Sequence, residues 1–347
     1  MPGKFNHTQL QQTVLNNTGA ATSKVIQGPA FGVDVSVIEI GNGQAIALTS
    51  DPLSFIPGLG VQESAWLSVH LMANDMATTG FAPMYAQMVL NLNEGMTSQE
   101  VADYWLHIHE YCKRINVSIT GGHTGIVHNQ STTISGGGTM MLTAPVERIL
   151  TSAKARAGDR IVIAGCCAMS AAAILAMSFP HHVQNAIGKE QWSAACEMFF
   201  QTSTLDVALI AAKPFDGHYA VHAMHDVTEG GVLGAVVEMA TAAGLGVVVD
   251  DGSLPRNRVT KAVCNLFNLD QRFVIGAGAT IIAVADDYAS ELMDRLHAAG
   301  KEAAIAGKFT TEKEQLWMLD DQIKPLPYFD TDPYWLAFSE ALNKGLS

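Results

Sequence analysis

Apolar residues recur along this chain with two periods. Runs that alternate, or that are rich in β-branched residues, fall at 35–40, 45–49, 85–92, 117–120 and 132–142, and each reads as a strand. Two segments among them keep the helical period instead. Residues 65–79 put Trp66, Val69, Met72, Ala73, Met76 and Ala77 on one side, and Gly80 follows as a C-terminal cap. The second opens at "TSQE", where Thr97 can cap and Glu100 can reach back, and runs through about Arg114.

After the polar, Gly-marked joint "AKARAGDR" the pattern starts again. "RIVIAG" reads as a strand and "MSAAAILAM" as a helix. A long helical region at 193–212, a strand at 219–224, a helix at 230–243 and strands at 247–249 and 280–285 follow. The helix "ASELMDRLHAAG" and a strand near 302–309 complete the set. The fold class is α+β, in two halves of similar size, each an antiparallel or mixed sheet backed by helices. The expected division is an N-terminal extension at 1–30, domains at 31–150 and 151–325, and a helical tail at 326–347. The aromatic tail "PLPYFDTDPYWLAFSEALNKGLS" is expected to pack as an extra helix, with a cover over the cleft as the other option.

Composition narrows the function. Of 347 residues, 48% are hydrophobic and only 15% charged, so the chain can fill two cores. No apolar run reaches the roughly 18 residues of a membrane span. The polar start "MPGKFNHTQLQQTVLNNTG" has no leader pattern, and a cytoplasmic location is expected. The net charge of -13 argues against nucleic-acid partners and requires a cation beside any anionic ligand. The five cysteines include no C-x-x-C, and adjacent Cys166 and Cys167 read as small packing residues in a reducing compartment.

The usual nucleotide, zinc-protease and serine-hydrolase motifs do not occur. What remains is a scatter of acids at element ends: Asp34, Asp51, Asp75, Asp226 and Glu229. Asp75 falls off its helix's apolar stripe, with Asn74 between. It is either a solvated helix end or a cation ligand, since a carboxylate in apolar surroundings needs a partner and no nearby Lys or Arg offers one. "ITGGHTG" reads as a strand followed by a tight turn at Gly121 and Gly122, presenting His123 and Thr124. "MHDVTEGGVLGAVVEMA" delivers His225 and Asp226 from a strand end and opens a helix at Gly230 and Gly231. Its free N–H groups either form a plain capped start or favour an anion.

Together these pieces resemble the AIR synthetase-like (PurM-like) ATP-binding superfamily, nearest its hydrogenase-maturation (HypE) branch. The resemblance spans about residues 32–309 and rests on "GVDVSVI", "LTSD", "ANDMATTGFAPM", "TGGHTG", "ARAGDRIVIAG" and "HDVTEGGVLGAVVEMA". It implies an N-terminal domain whose sheet pairs across a homodimer, a C-terminal α+β domain, and ATP with Mg2+ in the cleft. It also implies that Asp34, Asp51, Asp75 and Asp226 hold metal, and that Asn74, Gly122, His123, Thr124, Gly230 and Gly231 contribute to nucleotide binding. Asp51 and the Asn74–Asp75 pair would then converge on one cation.

Two positions depart from the family pattern: Val33 and His123 each replace an expected acid. The ending "EALNKGLS" lacks the terminal Cys of the hydrogenase factor, so that particular activity is not expected. The expected function is therefore ATP- and Mg-dependent activation of an oxygen of a small substrate, by phosphoryl transfer or dehydration. The alternatives are a nucleotide-binding or scaffold homologue without turnover, and a maturation factor acting on a protein partner.

Overall fold

The computed structural model describes residues 3–53, 55–56, 58–130 and 132–347. Met1, Pro2, Ser131, and Ser54 and Pro57 of the loop after Asp51 lie outside it. A short helix α1 (His7–Leu10) precedes the first sheet. That sheet comprises β1 (Val25–Gln27), β2 (Ser36–Gly41), β3 (Gln44–Pro52), β4 (Tyr85–Asn93), β5 (Ser118–Val127), β6 (Ile134–Ser135) and β7 (Gly137–Pro145). Its order is β1-β2-β3-β7-β4-β5, with β6 paired to β4. Helix α2 (Val61–Ala77) links β3 to β4, and α3 (Ser98–Arg114) links β4 to β5, a crossover that lets those two strands run parallel.

The strand period of two decides which face is covered. Ala45, Ala47, Ala86, Met88, Leu90, Met140 and Leu142 are buried with Met72 and Met76 of α2 and with Tyr104 and Ile108 of α3. On the opposite face, Leu48 and Met141 are only half-buried and Val89 is exposed. The capping box at α3 forms: Thr97 Oγ1 accepts from the Glu100 amide, and Glu100 accepts from the Thr97 amide. The turn expected in "TGGHTG" does not form. Gly122 instead lies within β5 at φ +147, where a Cβ would meet Met88 O at 1.7 Å. The register skips Thr120 and keeps Gly121 and Gly122 paired with Gln87 and Met88, so the edge strand bulges just before the glycines and presses against β4 instead of reversing.

The second half is built on β8 (Arg160–Ala164), β9 (Val221–Asp226), β10 (Gly246–Asp250), β11 (Thr280–Val284), β12 (Ala303–Thr310), β13 (Gln315–Leu319) and β14 (Gln322–Pro325). They follow the order β14-β13-β10-β12-β8-β11-β9. Helices α4 (Met169–Ser178), α5 (Pro180–Ile187), α6 (Lys189–Glu197), α7 (Leu205–Ala211), α8 (Gly231–Ala243), α9 (Arg258–Leu266), α10 (Ala289–Ala298) and α11 (Pro333–Asn343) surround this sheet. Every residue of β11 is buried, because α8 covers one face of the sheet and α7 with α10 the other. The aromatic tail forms α11, whose Tyr334 and Ala341 are buried with residues of α4, α5 and α9.

The long helical region expected at 193–212 is broken. Helix α6 ends at Glu197, a 3-10 turn spans Met198–Gln201, and α7 begins at Leu205. The break is a docking point for the first half. Trp66 Nε1 donates to Thr202 Oγ1 at 2.9 Å, Asn74 Nδ2 donates to Thr202 O at 2.9 Å, and the Thr204 amide donates to Asn74 Oδ1 at 2.8 Å. Satisfying these bonds takes Thr202 and Thr204 out of helical geometry.

Candidate functional site

The alternation that buries Ala45 and Ala47 also turns Thr49 and Asp51 toward α2 at the end of β3. There Thr49 Oγ1 donates to Asp75 Oδ2 at 2.7 Å. From the other half, β9 ends in His225 and Asp226, both buried. Asp34 arrives on the segment ahead of β2, which lies hard against α8: at Gly32, φ +72, a Cβ would sit 2.3 Å from Glu238 O. Asp34, His225 and Asp226 each bring a ligand-type atom within 4.8 Å of the others.

The electrostatics show how closely these acids are gathered. Burial pushes the Asp75 carboxyl well up, and Asp226, Asp51 and Asp34 add repulsion that the Thr49 bond only partly offsets. Asp51 is raised by burial and by Asp34. Asp226 is pushed up to about 7, chiefly by burial and then by Asp34, against the pull of His225 and Lys4. Its Oδ2 is buried without a hydrogen-bond partner among the described residues. A cluster of carboxylates that repel one another, with one oxygen left unpaired, presents the kind of oxygen donors that hard cations such as Mg2+ take.

His225 is not free to join that donor set. Its Nδ1 lies 2.7 Å from Asp34 Oδ1 and its Nε2 3.1 Å from Glu238 Oε2. Burial disfavours its charge, but Asp34 and Glu238 outweigh that and hold the ring protonated well above its ordinary range. Glu238 is correspondingly lowered: burial opposes its charge, and the bond from His225 prevails.

The absence of a nearby cation, inferred from sequence spacing, is corrected by Lys4. This residue is 224 positions from Thr228, yet its Nζ donates to Thr228 Oγ1 at 2.9 Å and its amide to Glu229 Oε2 at 3.0 Å. Burial of the ammonium works against its charge, but Glu238, Asp226, Asp75 and Asp51 overcome that and raise it. The residue as a whole stays exposed, so its stem faces solvent while its tip lies among the acids.

The remaining expected site residues divide. Asn74 is fully buried, and both ends of its amide are committed to Thr202 and Thr204, so it does not converge with Asp51 on a cation. Gly230 and Gly231 open α8 with positive φ, but the Gly230 amide already donates to Asp332 Oδ2 at 2.8 Å. The anion expected at that helix start is therefore the protein's own carboxylate. Gly122, His123 and Thr124 lie on the exposed edge strand β5. The register Asp51–Gly138–Met88–Gly122 sets Gly122 three strands from Asp51, about 14 Å at ordinary strand spacing. Lys4, Glu238 and Asp332 are members of the site that sequence reasoning missed. Lys4 and Asp332 meet partners remote in the chain, whereas Glu238 lies 13 residues after His225, and nothing in the sequence shows that α8 folds back on the end of β9.

Two α+β domains whose carboxylates meet at the seam define a class of two-domain proteins with a shared acidic cleft. The chain belongs to the AIR synthase related protein family: residues 32–141 match the model of its N-terminal domain and residues 156–317 that of its C-terminal domain. The carbamoyl dehydratase HypE of Escherichia coli (strain K12) is 26% identical over 282 residues, covering 79% of each chain. Among solved structures, the hydrogenase maturation protein HypE in complex with ATP aligns with a TM-score of 0.68 at 17% identity, over 94% of this chain and 93% of that one. AaThiL complexed with AMPPCP and TMP aligns with a TM-score of 0.70 at 14% identity, over 91% of this chain and 94% of that one. No described helix is long and apolar enough to cross a membrane.

Proposed function

We propose that this chain is an ATP- and Mg2+-dependent enzyme that activates an oxygen of a small substrate by phosphoryl transfer or dehydration. One observation carries the reading: Asp34, Asp51, Asp75 and Asp226 come from both domains, Asp34 and Asp226 bring ligand-type atoms within 4.8 Å of each other, and burial with the neighbouring carboxylates raises Asp51, Asp75 and Asp226 around the unpaired Asp226 Oδ2. The likeness to folds solved with ATP and with AMPPCP supports it.

In this reading those four carboxylates hold the divalent ion, which supplies charge neutralisation for a triphosphate in an otherwise acidic protein. His225, fixed by Glu238, orients Asp34 toward the ion and balances part of its charge. The Lys4 ammonium is placed to neutralise the acids and to contact an anionic group. Gly122, His123 and Thr124 would contribute only to a ligand extended along the sheet end. The half-open apolar face of the first sheet, with Leu48, Val89 and Met141, supports pairing with a second copy.

Calorimetry of ATP binding with and without millimolar Mg2+ tests the proposal. Binding that requires Mg2+ and falls at least about tenfold in Asp226→Asn is expected. No affinity for ATP at millimolar Mg2+ overturns it. ADP release with candidate substrates separates an enzyme from a homologue that only binds, a second reading that Val33 and His123 keep in view.

A further inference from the structure

Beside the Asp34–His225–Glu238 line lies a cavity of about 360 Å3. One wall is the N-terminal segment from Lys4 to Leu10, and another is the segment from Tyr328 to Asp332 that leads into α11. These terminal segments meet through Phe31, whose ring stacks on His7 at 4.6 Å and stands edge-on to Tyr328 at 6.0 Å. Tyr328 Oη donates to Glu238 Oε1 at 3.3 Å. The lining is unusual in carrying both rings and acids. Phe5, Phe31, Tyr328 and Phe329 share it with five carboxylates, against which stand only Lys4 and His225.

This lining selects among cations. A hydrated divalent ion needs oxygen on all sides, and here Val33, Ala30, Leu10 and the rings supply carbon. An ammonium on a carbon skeleton satisfies both kinds of wall, because aromatic faces attract cations and the acids neutralise them. Val33 replaces an oxygen ligand expected from the family pattern, and that replacement makes the wall more apolar. The protein itself carries an example of the guest: the Lys4 ammonium, on its four-carbon stem, is drawn in from an exposed residue. Asp34 and His225 belong both to this lining and to the Asp34–His225–Asp226 group, so the cavity borders the carboxylates of the proposed metal site.

We propose that this chamber is the substrate pocket and that it takes a small organic cation, an alkylamine or a quaternary ammonium compound, whose charge lies where the Lys4 ammonium now lies. The inference rests on reading the adjoining carboxylates as the nucleotide and metal site, and it names the substrate class for that site. Lys4 and the ligand compete for one place, so the N-terminal segment shifts when the ligand enters.

The test uses nucleotide-free full-length protein and two matched pairs of probes: butylammonium with 1-pentanol, and choline with 3,3-dimethyl-1-butanol. Calorimetry on wild type and Lys4→Met is expected to show each cation preferred over its neutral partner by about tenfold, and cation affinity raised about tenfold by Lys4→Met. Phe31→Ala is expected to reduce the preference. Equal binding of cation and neutral partner overturns the proposal, as does a site that Mg2+ saturates while amines do not bind. ATP binding, measured separately with Mg2+, keeps the two readings apart. Loss of the amine preference with ATP binding intact removes only this inference, and the reverse result removes only the nucleotide reading.

Discussion

His225 Nδ1 and Asp34 Oδ1 lie 2.7 Å apart across the seam, tying the end of β9 to the segment that enters β2. Because the other ring nitrogen reaches Glu238, the imidazolium sits between two acids, and its side chain is only 3% exposed. Such a group acts as a fixed internal counter-ion. It sets the direction of Asp34 and ties the two halves together, and on the proposed reading Asp34 then joins Asp51, Asp75 and Asp226 around an external cation.

Removing that counter-ion should therefore be costly. His225→Met leaves Asp34 and Glu238 facing each other without the charge between them, a loss of about 3–5 kcal/mol by analogy with broken buried pairs. Adding Glu238→Met removes one of the stranded acids, so the double variant should be more stable than the His225 single variant. Chemical denaturation of the three proteins measures this. A single variant as stable as wild type would show that the pairing contributes nothing.

Asn74 makes the opposite kind of prediction. Its amide spans from α2 to the broken helix of the second half, and it is completely buried. Asn74→Ala leaves Thr202 O and the Thr204 amide without their partner, at about 1–3 kcal/mol for each stranded group. The melting temperature should fall, while Mg2+-dependent nucleotide affinity at a temperature where the variant is folded should stay within about twofold of wild type. A selective loss of affinity without loss of stability would return Asn74 to the site.

These two residues show what the chain's pattern could and could not reveal. The strands around Asp34 and Asp51 and the helix that carries Asp75 are legible because apolar period alone defines them. The acids stand out because they interrupt that period in apolar surroundings. The period cannot reveal pairing between distant segments. Lys4 meets Thr228, and Tyr328 meets Glu238, only after both termini fold back. The break at 202–204 is invisible for the same reason: Thr202 and Thr204 leave the helix to satisfy Asn74, a demand made from another domain. In "TGGHTG" paired glycines signalled a turn, but the neighbouring strand β4 pairs with both of them and leaves only Thr120 as a bulge.

The raised acids give a definite pH dependence. Asp226 titrates near 7 in the fold and near 4 when unfolded, so the folded state holds an extra proton between those values. Stability without metal should fall as pH rises through that window. His225, also raised, works in the same sense at higher pH. Glu238, lowered, works in the opposite sense, but in acid. Asp226→Asn mimics the protonated form, so its advantage over wild type should be absent below about pH 4, grow as pH rises from about 4 to about 7, and level off above that when no divalent ion is present. The rise in melting temperature on adding Mg2+ should likewise grow across that range in wild type. A Mg2+ effect that is the same at both ends would remove the link between these carboxylates and the cation.

The open face of the first sheet allows a final prediction. Leu48 and Met141 pair directly across β3 and β7, Val89 stands exposed on β4, and among the described residues α2 and α3 pack on the opposite face. A sheet with apolar residues on both faces needs a second cover, and a second copy placing the same face against it would supply one through a two-fold contact. Wild type should therefore elute as a dimer in light-scattering chromatography at micromolar concentration. Val89→Glu places like charges against each other across the axis without entering either core, so it should shift the population to monomer while the monomer keeps its circular dichroism spectrum. A wild-type monomer at high concentration would mean that this face meets solvent, and pairing through the first sheet would have to be given up.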